Sequence, residues 1–165
     1  MNMNKKIAFA GMLLAVNVIL LFLINIIPNN TMFLMGLASL LVAVVVMEWG
    51  LKTGIAFYMG SALLGFLVMS NKVHWVVYVC TFAIYGIVKY LIEKDRPIYL
   101  EYVLKLVFAN IAVCTLYFML RAIVYIPINI FIILAFQVIF LVYDYAYTVF
   151  INYYNQKLRK MIFRG

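Results

Sequence analysis

The chain has 165 residues, 69% of them apolar and 11% charged, with a formal net charge of +8. Soluble domains run about 45–50% apolar and about 25% charged, and a soluble fold of this length has no interior large enough for so many bulky apolar side chains. The composition therefore excludes a soluble globular protein, a disordered tail and a disulfide-stapled secreted domain. A membrane protein remains, and a helical span takes roughly 20 apolar residues. Six spans with tight connections fill the length, giving one all-α domain over residues 1–165. A β-barrel would alternate apolar and polar residues, whereas residues 34–47 offer no such alternation.

The first apolar run, residues 7–27, follows Lys5 and Lys6. It exceeds the 7–15 residues or so of a signal-peptide core and has no Ala-x-Ala site before Pro28, so it reads as a retained helix. Pro28-Asn29-Asn30-Thr31 breaks the run, with Thr31 placed to cap the next helix. Spans two and three are predicted at 32–48 and 55–69. Between them lies Trp49-Gly50-Leu51-Lys52-Thr53-Gly54, where Gly50 can end one helix and Thr53 begin another. Ser70-Asn71-Lys72 leads to span four, 73–92, and the polar stretch Glu93-Lys94-Asp95-Arg96-Pro97 leads to span five, 98–122. A kink or loop near Tyr125 and Pro127 precedes span six, 128–151. The tail, 152–165, carries Lys157, Arg159, Lys160 and Arg164 among apolar residues and reads as a basic interfacial extension.

The basic residues orient the spans. With the N-terminus inside, Lys5, Lys6, Lys52, Lys89, Lys94, Arg96 and the four tail residues are cytoplasmic, against Lys72 and Arg121 outside. Ten against two places both termini in the cytoplasm. The positive charge thus serves topology, and no nucleic-acid partner is expected. Cys80 and Cys114 lie inside apolar runs and read as packing residues.

No catalytic constellation emerges. His74 is the lone histidine, Ser39, Ser61 and Ser70 sit in no nucleophile elbow, and there is no Walker motif. The chain is not expected to be an enzyme or to hold a metal or cofactor. Ionisable residues within spans are costly unless paired. Lys105 and Asp144 fall at similar depths of antiparallel spans five and six, and Glu101 lies one turn before Lys105. Glu101, Lys105 and Asp144 are expected to form a buried ion pair that pins helices, in preference to a proton relay.

Two further sets stand out. Asn29, Asn30, Tyr78, Tyr117, Arg121 and Tyr125 can gather near the outer ends as a ligand site, with aromatic walls and a cation for a small aromatic or anionic solute. Tyrosines are abundant here, so core and belt packing is the competing reading. Ala8, Gly11 and Ala15 form a small-residue stripe on the first helix, suited to partner docking or to internal packing.

The chain resembles the substrate-binding S components of energy-coupling factor transporters. The resemblance lies in Lys5-Lys6-Ile7-Ala8 leading into Gly11-x-x-x-Ala15, Pro28 after span one, Trp49-Gly50-x-Lys52-x-Gly54-Ile55 and Gly86. It implies a six-helix subunit of a bacterial cell membrane that binds a vitamin-like solute from outside. It also implies that Ala8, Gly11 and Ala15 dock a transmembrane T component driven by partner ATPases. Gly11 stands where that family has Ala, and no signature of a particular vitamin is present. The second half, with Leu91-Ile92-Glu93-Lys94, Leu104-Lys105 and Phe140-x-x-Tyr143-Asp144-Tyr145, looks similar to uncharacterised membrane proteins of Gram-positive bacteria. The rod-shape-determining D family is similar in outline and implies the alternative, a non-transporting membrane scaffold.

Overall fold

The computed structural model describes residues 3–94, 96–121 and 129–159, which are helical apart from short turns. The chain divides into two compact units, Met1–Ile123 and Val124–Gly165. In the first, α1 spans Met3–Ile26. It starts before the predicted residue 7 because Lys5 and Lys6 are good helix formers and continue the helix into the polar margin. Ile27 leaves helical geometry, and Pro28–Asn30 form a single tight turn. Thr31 is not the expected cap. It is already helical, so its hydroxyl reaches back to donate to the Pro28 carbonyl at 2.8 Å.

Helix α2 spans Thr31–Val68, 38 residues. Unbroken, it would be about 57 Å long, nearly twice the hydrocarbon thickness. It is broken at Gly50, whose φ of 83° and ψ of 176° lie outside the helical region and suit a residue without Cβ. The two arms, 31–49 and 51–68, fold back on one another. A Cβ on Gly54 would stand 2.2 Å from Val46 Cγ2, although a continuous helix would separate these positions by about 12 Å. Asn17 of α1 hydrogen-bonds to both Ala38 and Ser61, 12 residues before and 11 after Gly50. Contacts at matched distances from the break define a helical hairpin. The predicted six-residue turn is thus shortened to one residue. Thr53 stays helical, its hydroxyl donating to the Trp49 carbonyl at 3.3 Å and occupying an acceptor at the end of the first arm.

After the turn at 69–71, Asn71 caps α3 (Lys72–Val77) by accepting from the Val73 N–H at 2.9 Å. A π-helical turn, Tyr78–Ala83, joins α3 to α4 (Ile84–Glu93). Lys94 is extended, Pro97 stands at the head of α5 (Ile98–Leu120), and Arg121 closes it. In the second unit α6 spans Ile130–Tyr153, with Asn129 accepting from Phe131 N–H at 3.3 Å, and a π-helical turn continues over Tyr154–Leu158. Among the described residues five helical stretches are long and apolar enough to cross a membrane: Asn4–Ile26, Pro28–Val68, Lys72–Glu93, Ile98–Leu120 and Ile133–Lys157.

The first arm of α2 is the most deeply buried element, with Val42, Ala43, Val44, Val45 and Val46 all in the interior. Two apolar clusters flank it, one around Leu21, Met35, Ala38 and Tyr78, the other around Val42, Val46, Phe57 and Ile87. Large apolar side chains also point outward, such as Ile7, Phe22, Leu63 and Leu67. Helices apolar on both faces suit a lipid surround. The small residues of the second arm allow close approach: a Cβ on Gly60 would meet Leu14 at 3.3 Å, and one on Gly65 would meet Leu21 at 3.1 Å.

Candidate functional site

Asn17 is the sole polar residue between positions 7 and 24, and it is wholly buried. Its amide donates to the Ala38 carbonyl at 2.8 Å and to the Tyr78 hydroxyl at 3.1 Å. The Ser61 hydroxyl donates to Asn17 Oδ1 at 2.7 Å and lies 2.7 Å from the Tyr78 hydroxyl. The Tyr78 O–H has two acceptors within reach, the Ser61 hydroxyl and, at 3.4 Å, Asn17 Oδ1, and the three side chains close a cyclic network. Each member satisfies its neighbour, which matters where water is absent and an unmade hydrogen bond is expensive. The network ties α1, both arms of α2 and the π-helical turn. Tyr78, expected to wall a ligand site, has no exposed surface, and its hydroxyl is fully engaged here. The sequence reading missed Asn17 as a structural centre, although its isolation within an apolar run was a usable signal.

A second polar centre is ionic. Lys89 on α4 and Lys105 on α5, 1% and 4% exposed, approach the same Glu93 oxygen at 2.6 Å and 2.5 Å. Glu93 itself is 30% exposed, so the node sits at the rim of the interior. Lys105 also lies 5.6 Å from the Tyr102 ring centre. Of its expected partners, Glu101 lies half-buried in the first turn of α5. Asp144 is buried on α6 in the other unit, where its main-chain carbonyl accepts from the Thr148 hydroxyl at 2.9 Å. The sequence alone assigns Glu93 to the polar stretch between spans four and five. Its spacing of four from Lys89 was the signal that α4 extends to include it.

The remaining ligand-site residues are placed individually. Asn29 and Asn30 are exposed on the turn after α1. Arg121 is exposed, its guanidinium 5.6 Å from the Phe118 ring centre, and half-buried Tyr117 meets the same ring edge-on at 5.8 Å. Tyr125 lies outside the described residues. Nearby polar groups secure the end of the second arm. Asn25 donates to Val68 O at 2.9 Å and accepts from Ser70 N–H at 3.0 Å, while Lys72 donates to the carbonyls of Phe66 and Met69.

At the opposite end of α1, Ala8, Gly11 and Ala15 are all exposed, and a Cβ on Gly11 would meet nothing within 4 Å. Gly11 also lines an open cleft of about 390 Å³ between α1 and the α2 hairpin, with Lys6, Ile7, Ala10, Leu14, Trp49, Thr53, Ala56 and Phe57. At 100° per residue, this α1 face lies between the Asn17 face and the small-residue stripe, and Gly11 lies at its border with the stripe.

No family model, curated protein or solved structure matches the chain. Among the described residues no group of three or more His, Cys, Asp or Glu could hold a metal ion.

Proposed function

We propose that the chain is a membrane-embedded subunit that acts through a partner docked along α1. The observation that carries this is the exposure of Ala8, Gly11 and Ala15, with open space over Gly11. Small residues let a second helix approach closely, and packing between helices is a principal source of association in lipid. In this reading each arm of α2 is a span, the spans number six, and both termini face the cytoplasm of a bacterial cell. The partner is a transmembrane T component with ATPase subunits. The chain captures a small vitamin-like solute near Arg121, Tyr117, Asn29 and Asn30, while Tyr78 acts from the interior by holding the helices that frame that end.

A second reading, a non-transporting scaffold similar to the rod-shape-determining D family, is favoured by the ties of Asn25, Ser70 and Lys72 that fasten the same end. One pair of variants separates the two. Ala8→Leu with Ala15→Leu is expected to abolish co-purification of the partner from native membranes while leaving the retained solute unchanged. Arg121→Ala is expected to lose the retained solute, read by mass spectrometry, while the partner still co-purifies. A partner retained by the stripe variant overturns docking along α1, and an absence of any solute in the wild type selects the scaffold.

A further inference from the structure

The cleft at the Lys6 end of α1 combines two chemistries. Its lining is mostly apolar, from Ile7, Ala10, Leu14, Ala56 and Phe57, and it also includes Lys6, Trp49 and Thr53. Lys5 and Lys52 are exposed in the chain beside Lys6 and Thr53, and Glu48 is the acid next to Trp49. Three lysines against one acid give this end a net positive charge. Among the described residues no acid pairs with Lys6, and the Trp49 N–H has no hydrogen-bond acceptor. On either side the exposed surface is apolar, with Met12, Ile55 and Met59 each more than 40% exposed. A soluble anion would find a cation here but no use for the apolar lining. A neutral lipid would use that lining and leave the lysines without a counter-charge.

We propose that this cleft binds the headgroup-proximal end of an anionic phospholipid. Its phosphate lies among Lys6, Lys52 and the Trp49 N–H, and the start of an acyl chain lies over Ala10, Leu14 and Ala56. Basic residues at a membrane surface attract anionic lipid, tryptophan favours the headgroup level, and the small side chains of Ala10 and Ala56 leave room for the chain. The cleft holds one end of the lipid, and the rest continues along the exposed apolar face.

The test uses the full chain in mild detergent, exchanged against equal amounts of phosphatidylglycerol and phosphatidylcholine, with bound lipid counted by native mass spectrometry. Wild type is expected to retain phosphatidylglycerol on the order of tenfold over phosphatidylcholine. Lys6→Gln with Lys52→Gln should bring that ratio close to one. Ala56→Phe, at an exposed position, should displace lipid by filling the cleft without disturbing the fold. Ala8→Leu with Ala15→Leu, outside the lining, should leave retention unchanged, which keeps this proposal separate from docking along α1. Equal retention of the two lipids by wild type overturns the proposal, as does a preference that survives both cleft variants. Displacement of phosphatidylglycerol by inorganic phosphate at matched ionic strength also overturns it, because the site would then serve free anions.

Discussion

The Lys105 ammonium on α5 lies 2.5 Å from the carboxylate of Glu93, the last residue of α4. Lys89 reaches the same oxygen from one turn earlier on α4. One acid therefore joins two buried bases across the turn between the helices, and the three positions are unequal. Glu93→Gln removes an ion pair from both lysines, whereas Lys105→Met leaves the Lys89–Glu93 pair in place. Breaking a buried pair costs about 3–5 kcal/mol in soluble proteins. Melting in detergent is expected to show the larger loss for Glu93→Gln, and a larger loss for Lys105→Met would remove Glu93 from the centre of the node.

Tyr78→Phe deletes the hydroxyl that closes the network with Asn17 and Ser61. The expected loss is about 0.6–2 kcal/mol, between values measured for hydrogen bonds within membranes and those for buried polar groups in general. Ser61→Ala should cost a similar amount. Because both changes break one ring, the double variant should lose less than the sum of the singles. Additive losses would show that the three side chains act separately.

Gly54→Ala places a methyl group where Val46 Cγ2 already stands, at 2.2 Å. It should separate the arms of α2 and lower stability by about 1–3 kcal/mol, the usual cost of overpacking. Adding Val46→Ala should restore part of that loss, since the methyl group it removes is the nearest obstacle. Gly50→Ala meets no neighbour, but its φ of 83° with ψ of 176°, a region almost confined to glycine, should still cost about 1–3 kcal/mol. No recovery in the Gly54→Ala, Val46→Ala double variant would show that the strain lies elsewhere.

Asn30 and Asn71 each lie about 20 residues from Gly50, on opposite sides of it in the chain. The hairpin carries both to the end of the unit remote from Lys52. In a background lacking Cys80 and Cys114, cysteines at Asn30 and Asn71 should label from the same side of the membrane, and a cysteine at Lys52 from the other. Labelling of positions 30 and 71 from opposite sides would show that α2 does not reverse within the bilayer.

Much of the fold was legible because apolar runs, Pro28, Gly50 and Pro97 divide the chain in physical terms that hold in any surround. The break at Gly50 was read correctly as a helix end, but its tightness depends on Thr53 reaching Trp49, a detail outside any single-residue propensity. The interior sites were less legible. Tyr78 and its fellow tyrosines have one composition whether they wall a cavity or seal a core, and only the positions of Asn17 and Ser61 distinguish these. Lys105 was rightly singled out as costly within a span. The acid at Glu93 that it also meets is obscured by the run of polar residues that follows, which makes the whole stretch resemble a loop.

The hairpin constrains the chain's length as well as its residues. Gly54 must return to Val46, and Ser61 must return to Asn17 just as Ala38 does, all across one pivot residue. An inserted or deleted residue within an arm would turn everything beyond it by about 100° and shift it by about 1.5 Å. Substitution at a lipid-facing position such as Ile55 or Met59 disturbs neither meeting point, whereas a single-codon insertion between Gly50 and Ser61 would disturb at least one. Over residues 38–61 the protein is therefore expected to accept a change of residue more readily than a change of count.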